Sequence, residues 1–475
     1  MPHSRTLVMK FGGTSVGSAQ AMSEAARIVL NAYAEWQRVV VVTSAISGVT
    51  NLLLDSATRA AAGDVSQLPN AEKDLRTSHL SIANALISDP VKRNNIIAEI
   101  DELISIFVDL CRAITLIGEA SPRTLDAVAS LGERMSVRLL AGIITENGLS
   151  VKALDANELI VTNSHFQNAH PDLDATTRQT RAKVLPLLEE GIVPVITGFI
   201  GATPAGVITT LGRGGSDYSA AILGAVLPAN DVWIWTDVDG VMTADPRIVP
   251  EARTLPEITY SEVSELAYFG AKVLHPKTVR PVVDAGIGLR ICNTFNPTHP
   301  GTRLVSNAHR NGTSGNGYIV KAVTAIRRQR LVTIEGRGML GIPGVAARAF
   351  GAVASTGTSV PLISQASSEQ SICFAVPAEA CESVLFELEK IFAEELKEND
   401  IDRVWATDDI SIITVVGAKM RSTPGVAGKV FGKLGENNVN VLAIAQGSSE
   451  VSISMVVESD RTEDAVKALH ALIIN

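Results

Sequence analysis

The sequence predicts an α/β protein in which a doubly wound, mostly parallel sheet is followed by two smaller strand-helix modules. Three observations carry that reading. Short β-branched apolar runs alternate with helical stretches through the N-terminal part. Hydrophobic residues make up 46% of the chain with only 4% aromatic, so the core must be built from Ala, Val, Ile and Leu, which suits buried parallel strands under helices. Near the C-terminus a block of residues recurs at a fixed offset of 81, from Pro343 to Pro424.

The strand candidates are Leu7–Met9, Val39–Thr43, Val151–Leu154, Val193–Thr197 and Val232–Trp235, each followed by a helical stretch. Asn51 to Ile117 holds polar and apolar residues at helical spacing and no strand candidate, so it reads as a helical excursion from the sheet. Between Asn296 and Gly317 the chain turns rich in Asn, Gly, Ser, Thr and Pro, the mark of a linker or an exposed edge. Beyond it, Pro343-Gly344-Val345-Ala346 recurs as Pro424-Gly425-Val426-Ala427, Phe350-Gly351 as Phe431-Gly432, and the run from Gln365 to Ile372 as Gln446 to Ile453. Each copy reads as a strand (Leu331–Glu335; Ser411–Val416), a helix opened by Pro-Gly, then strand, turn and strand. Paired modules of this kind bury surface against each other. Set apart from a larger body they suggest small-molecule sensing, the alternative being a ligand-free dimerisation platform.

At 475 residues the chain has room for two to four domains of about 100–200 residues each. A net charge of −9 argues against nucleic acid or an anionic membrane as the main partner. Cys111, Cys292, Cys373 and Cys381 form no C-x-x-C pair and the eight histidines no H-x-x-x-H, so neither zinc nor a disulfide frame is implied. Strand-like residues begin at Thr6, which leaves no signal-peptide pattern, and no apolar stretch reaches the roughly 18 residues of a membrane span. The expected location is the cytoplasm.

Chemistry concentrates in four places. Val8-Met9-Lys10-Phe11-Gly12-Gly13 ends a strand in a lysine and two glycines, whose backbone N–H groups can approach an anion. The lysine precedes the glycines, so this is no Walker A loop, and alone the run also fits a plain strand end and tight turn. Thr210-Leu211-Gly212-Arg213-Gly214-Gly215-Ser216-Asp217 places a planar guanidinium among glycines, suited to gripping a carboxylate or phosphate. Ser216 or Asp217 can cap the Ala-rich helix that follows. The loop from Thr236 to Arg247 lies at the C-terminal end of a strand, where open α/β sheets bind ligands. Tyr268 to Pro276 adds Lys272 beside a glycine, and His275, next to a helix-limiting proline, reads as structural.

The runs VMKFGGTSVGS at 8–18, VVTSAISGVTN at 41–51, SLGERMSVRLLAG at 130–142, TTLGRGGSDYSAA at 209–221, IWTDVDGV with ADPR at 234–247, and YFGAKVLHPKT at 268–278 together closely resemble the aspartate kinase family. The resemblance covers essentially the whole chain. It implies an amino acid kinase fold, a three-layer α/β/α sandwich, over residues 1–305 with the helical excursion at about 51–120. A linker follows at 306–318, then two ferredoxin-like βαββαβ ACT domains at 319–402 and 403–475, with exchange of strands between them left open.

The implied reaction is Mg²⁺-dependent phosphoryl transfer from ATP to the β-carboxylate of L-aspartate, the first step of lysine, threonine and methionine biosynthesis. It needs no general base, because a carboxylate of reference pKa about 3.9 is already ionised at neutral pH. By resemblance, Lys10, Gly12 and Gly13 contact the transferring phosphates, and Asp217 organises the lysines there. Thr236, Asp237, Met242, Arg247, Lys272 and Val273 match nucleotide-binding positions, Met242 standing where many relatives carry tyrosine. Arg213 takes the α-carboxylate of aspartate and Glu133 its ammonium, while Ser44, Thr50, Phe199, Thr210 and Ser216 line the pocket. Without the resemblance, Glu133-Arg134 reads as a solvated helix pair, and Gly132 beside it costs a helix about 1 kcal/mol relative to alanine unless packing requires it. Gln365 and Gln446 match glutamines that bind an inhibitory amino acid, and QASSEQSI and QGSSEVSI favour threonine over lysine. The family further implies a homodimer or larger assembly. With the second repeat ending at Asn475, a monofunctional enzyme is expected. Other readings are a glutamate or acetylglutamate kinase of the same fold and a non-catalytic amino-acid sensor.

Overall fold

The computed structural model describes residues 5–270, 274, 276–305, 320–339, 344–365, 370–417, 420, 423–446 and 451–474. The described chain forms two units, each with its own sheet.

The first unit is built on ten strands: β1 (Thr6–Phe11), β2 (Arg38–Thr43), β3 (Val151–Leu154), β4 (Val193–Thr197), β5 (Ile200–Ala202), β6 (Ile208–Thr210), β7 (Asp231–Thr236), β8 (Glu257–Thr259), β9 (Gly288–Asn293) and β10 (Thr302–Val305). Eight of them form one sheet in the order β3-β4-β2-β1-β7-β9-β10-β8, while β5 and β6 make a separate antiparallel pair. Every neighbouring pair in the large sheet is parallel except β9 with β10. β1 lies at its middle and every residue of β1 is buried, which is why TLVMKF reads as an unbroken apolar run closed by a lysine. The strand order reverses at β1, between β2 on one side and β7 on the other, and ligands of open α/β sheets bind beyond the strand ends at such a point.

Helices α1 (Ala19–Glu35), α2 (Val49–Ala61), α3 (Leu68–Leu86), α4 (Pro90–Ile117), α5 (Pro122–Glu146), α6 (Leu173–Glu189) and α7 (Gly215–Val226) belong to this unit; α8 (Tyr260–Tyr268) falls, past its first residue, in the second unit, and α9 (Pro276–Asp284) returns to the first. The start signals are local: Ser18 accepts a hydrogen bond from the Ala21 N–H at 3.1 Å, and Asp89-Pro90 and Ser121-Pro122 pair a capping side chain with proline at the first helical position. The helical excursion is α2, α3 and α4, which share one core with α5 and the sheet. Among the described residues no helix is long and apolar enough to cross a membrane.

The second unit comprises Met242–Leu255, Ser261–Val273 and Asn311–Asn475. Its strands are β11 (Val320–Glu335), β12 (Leu362–Gln365), β13 (Ser371–Pro377), β14 (Arg403–Ala406), β15 (Ile410–Gly417), β16 (Ala443–Ala445) and β17 (Ser452–Glu458), in one sheet ordered β12-β13-β11-β15-β17-β16 with β14 on β11. Helices α10 (Val345–Ser355), α11 (Cys381–Ile391) and α12 (Ala393–Glu398) belong to the first copy of the repeat, α13 (Val426–Glu436) and α14 (Thr462–Ile474) to the second.

The strand expected at Leu331–Glu335 is the last part of a sixteen-residue strand. Its Val320–Gln329 part pairs with β15 and its Gln329–Glu335 part with β13, the changeover falling at a register shift where Arg328 takes φ +58°. β14, at the matching place in the second copy, lies on β11. Each copy's leading segment therefore hydrogen-bonds to the other copy. The buried apolar residues gather around Val332, Phe374 and Leu388, around Leu331, Ala375 and Ile412, and around Ile413, Met455 and Leu469. Ala244 and Val249 pack into the last of these. The linker region, residues 306–318, lies outside the described residues.

Candidate active site

A cavity of about 540 Å³ opens beyond the strand ends of the first unit. Lys10, the penultimate residue of β1, reaches its floor with 8% of its surface exposed, and its Nζ stands 2.5 Å from Asp217 Oδ1. The contact is an ion pair rather than an aligned hydrogen bond. Asp217 can reach there because α7 begins at Gly215, one residue before Ser216, with Gly214 in the left-handed conformation at its N-cap (φ +72°) and no side-chain cap. Capping by Ser216 or Asp217, expected above, therefore does not occur. A cap made by the glycine leaves both side chains in the first turn, where Asp217 meets Lys10 at the positive end of the helix.

The turn after β1 is held by its neighbours. Gly12 N–H donates to the Trp235 carbonyl at 3.1 Å and Ser47 N–H to the Gly13 carbonyl at 3.2 Å. A Cβ on Gly13 would lie 3.0 Å from the Ala45 carbonyl oxygen, so a side chain there would press the two turns apart. Ser44, the first residue past β2, and Thr50 in the first turn of α2 bring hydroxyls to the cavity.

Glu133 lies on α5, a helix buried through most of its length. It is 4% exposed, and burial pushes its pKa up to about 8, against the Ala45 and Glu133 backbone N–H groups and the Lys10 charge, which pull it down. Its Oε2 has no hydrogen-bond partner. The solvated-pair reading of Glu133-Arg134 is thus replaced by two separate fates, since Arg134 donates to Asp155 at 3.0 Å. The cost of Gly132 is explained as well: a Cβ there would come within 2.9 Å of the Ala45 Cβ and 3.3 Å of Val49 Cγ1.

The far wall comes from Phe199 and the arginine loop. Phe199 takes φ +68°, rare for a bulky residue, and is held there by its N–H donating to Ser219 Oγ at 3.0 Å. Arg213 is exposed and makes no ion pair among the described residues. Lys10, Gly13, Ser44, Thr50, Glu133, Phe199, Thr210, Arg213, Ser216 and Asp217 thus surround one cavity.

The other expected site residues that the structure describes stand outside its lining. Gly12 is joined to the end of β7 by its bond to Trp235, and Thr236 and Asp237 follow there, with Thr236 Oγ1 donating to Asp237 Oδ1 at 3.1 Å. Met242 and Arg247 belong to the second unit. Met242 Sδ accepts from Thr254 Oγ1 at 3.4 Å, and Arg247 forks onto Asp245, holding that carboxyl below its ordinary range. Lys272, Val273 and His275 lie outside the described residues. Gln365 ends β12 and Gln446 follows β16, both exposed.

Asp126, Ser47, Asn51 and Gln167 also line the cavity and were not anticipated. Asp126 had a signal: it precedes Glu133 by seven residues, two helical turns, on the same face. A lysine against a glycine turn suits phosphate, and a buried carboxyl with a free guanidinium suits the two ends of an amino acid.

Comparison with known proteins bears on this chemistry. The model of the Amino acid kinase family matches residues 5–293, and that of the ACT domain matches residues 332–392 and 413–472. The bifunctional aspartokinase/homoserine dehydrogenase 2 of Arabidopsis thaliana, a chloroplastic protein, is 39% identical over 98% of this chain and 50% of its own length. The chain spans about half the length of the bifunctional relatives it matches. Chloroplastic aspartokinase 3 of the same plant is 35% identical over 98% of this chain and 81% of its own. The crystal structure of E. coli aspartokinase III with aspartate and ADP superposes with a TM-score of 0.81 at 32% identity, covering 99% of this chain and 100% of that one. The same enzyme with lysine and aspartate gives 0.79, also at 32%, covering 99% and 100%.

Proposed function

Because the chain belongs to the aspartate kinases of the amino acid kinase family, we propose that it transfers the terminal phosphoryl group of ATP to the β-carboxylate of L-aspartate. The bond between the terminal phosphorus and the bridging oxygen of ATP breaks, a carboxylate oxygen bonds to that phosphorus, and ADP and 4-phospho-L-aspartate leave. The observation that carries this reading is one cavity lined by Lys10, Glu133 and Arg213 at the switch point of the sheet. Both reactants are anions, so the protein's task is alignment and charge neutralisation. Lys10, with Gly12 and Gly13, faces the transferring phosphoryl group, and Asp217 holds the ammonium in place. Arg213 receives the α-carboxylate and Glu133 the α-ammonium of aspartate, between Ser44, Thr50, Phe199, Thr210 and Ser216. Thr236, Asp237, Met242, Arg247, Lys272 and Val273 are assigned to the nucleotide. Mg²⁺ commonly keeps most of its shell from phosphate oxygens and water.

The ACT repeats are assigned a regulatory role, with Gln365 and Gln446 binding an amino acid. Threonine is favoured by the residues around the two glutamines. Lysine, present in the E. coli aspartokinase III complex, is the second candidate. Assembly as a dimer or larger oligomer and a cytoplasmic location complete the proposal. The test is ADP release by the purified chain with ATP, Mg²⁺ and aspartate, repeated with threonine and with lysine. Aspartate-dependent release supports the kinase, and suppression by one amino acid identifies the effector. No release with aspartate would refute it and turn attention to glutamate and acetylglutamate.

A further inference from the structure

Asp126 borders the cavity, and none of the roles assigned above uses it. It is 1% exposed, and a carboxylate taken so far from water needs partners. It has four bonds. The Gln167 N–H donates to Oδ1 at 3.1 Å and to Oδ2 at 2.9 Å, the Thr210 N–H donates to Oδ2 at 2.9 Å, and the Thr210 hydroxyl donates to Oδ1 at 2.8 Å. Burial pushes its pKa up while these donors pull it down. Three donors make these contacts, the Gln167 N–H being shared between both oxygens, and together they fix the carboxylate in one orientation.

What the four bonds hold together is informative. Thr210 is the last residue of β6 and stands three residues before Arg213. Gln167 is held at φ +65° in the loop beside it. That loop meets the arginine loop directly: Ala169 N–H donates to the Thr210 carbonyl at 2.9 Å, and a Cβ on Gly212 would be 3.0 Å from both the Gln167 carbonyl oxygen and Asn168 Oδ1. Both sides of the base of the arginine loop therefore hang on one carboxylate. That carboxylate sits on α5, two turns from Glu133 on the same rigid helix.

We propose that Asp126 is a positioning residue: it fixes the Arg213 loop to the helix that carries Glu133, and so sets the spacing between the groups that receive the two charged ends of the amino acid. The proposal rests on reading the cavity as an amino-acid site. A merely structural tie would affect the whole fold and both substrates alike; this one acts on one end of one substrate.

The test is Asp126→Asn, which keeps the shape but turns an N–H₂ toward backbone donors. Three quantities are read: the KM for aspartate, the KM for ATP with kcat, and amide hydrogen exchange of peptides covering 163–170 and 205–217. The expected result is a KM for aspartate raised about tenfold or more, as for the loss of a charge-assisted network, with kcat and the KM for ATP within about twofold. Exchange should quicken in those two peptides and not in β1 or β2. An unchanged KM for aspartate with unchanged exchange would overturn the proposal, and so would parallel losses in kcat and both KM values. Should the variant fail to fold, Asp126→Glu keeps the charge but carries the oxygens one methylene away from the Gln167 and Thr210 donors, and the same split between substrates with faster exchange at 163–170 and 205–217 is required of it. Wild-type chain that releases no ADP with aspartate would overturn the amino-acid reading itself, before any variant is compared.

Discussion

Replacing Glu133 by glutamine tests the electrostatics of the cavity in a way that has a definite sign. The native carboxyl is buried with a pKa of about 8, whereas glutamate in an unfolded chain titrates near about 4.3. The native value is the higher one, so the folded state keeps a proton that the unfolded state gives up. The contribution to stability is therefore fully present below about pH 4.3 and is lost as pH rises to about 8. At about 1.36 kcal/mol per pKa unit the gap corresponds to roughly 5 kcal/mol, and relaxation and water in the open cavity lower this to about 2–5 kcal/mol. Glutamine has the same shape and no charge to lose. Glu133→Gln should match the wild type within about 1 kcal/mol at pH 5 and exceed it by about 2–5 kcal/mol at pH 8.5. Urea midpoints from pH 5 to 9, followed by tryptophan fluorescence in a Trp405→Phe background so that Trp36, Trp233 and Trp235 of the first unit report, measure the difference. A difference that does not grow with pH would refute the reasoning. The same carboxyl must ionise to pair with an ammonium, so wild-type kcat/KM for aspartate should climb toward pH 8, and that limb should vanish in the variant.

Three further outcomes are expected. Lys10→Met should lower kcat by about a hundredfold or more with KM values little changed, while circular dichroism stays native; near-normal turnover would remove Lys10 from the chemistry. Arg213→Ala should raise the KM for aspartate at least about tenfold and leave that for ATP and the melting temperature alone, because the guanidinium is exposed and unpaired among the described residues; equal effects on both substrates would assign it to the phosphates. Gly132→Ala gains about 1 kcal/mol of helix propensity, but its Cβ would press on Ala45 at 2.9 Å, and overpacking of about 1–3 kcal/mol should win. A thermal melt above that of the wild type would show that the helix can shift to make room.

What could be read before folding, and what could not, follows from how far apart in the chain the cooperating residues lie. The strand runs at Leu7–Met9, Val39–Thr43, Val193–Thr197 and Val232–Trp235 were legible because parallel strands covered on both faces are apolar along most of their length, and they lie within β1, β2, β4 and β7, while Val151–Leu154 falls on the half-buried edge strand β3. β5, β6 and β8 are three residues each, too short to show a period. The full length of β11 was hidden for another reason: its first part, rich in lysine and arginine, pairs with β15 rather than within its own copy, so the local pattern carried no sign of its partner. Lys10 and Arg213 announced themselves by glycine neighbours, a local signal of an anion site. Glu133 could be recognised only by resemblance, because its burial depends on α5 packing against distant parts of the sheet. Asp126 had only its seven-residue spacing from Glu133 as a sign. Its partners stand 41 and 84 residues away in sequence, and three of its four bonds come from backbone N–H groups, which any residue could supply. A site's reacting groups thus leave chemical marks in the sequence, while the residues that space them apart act through backbone contacts that only the folded chain reveals.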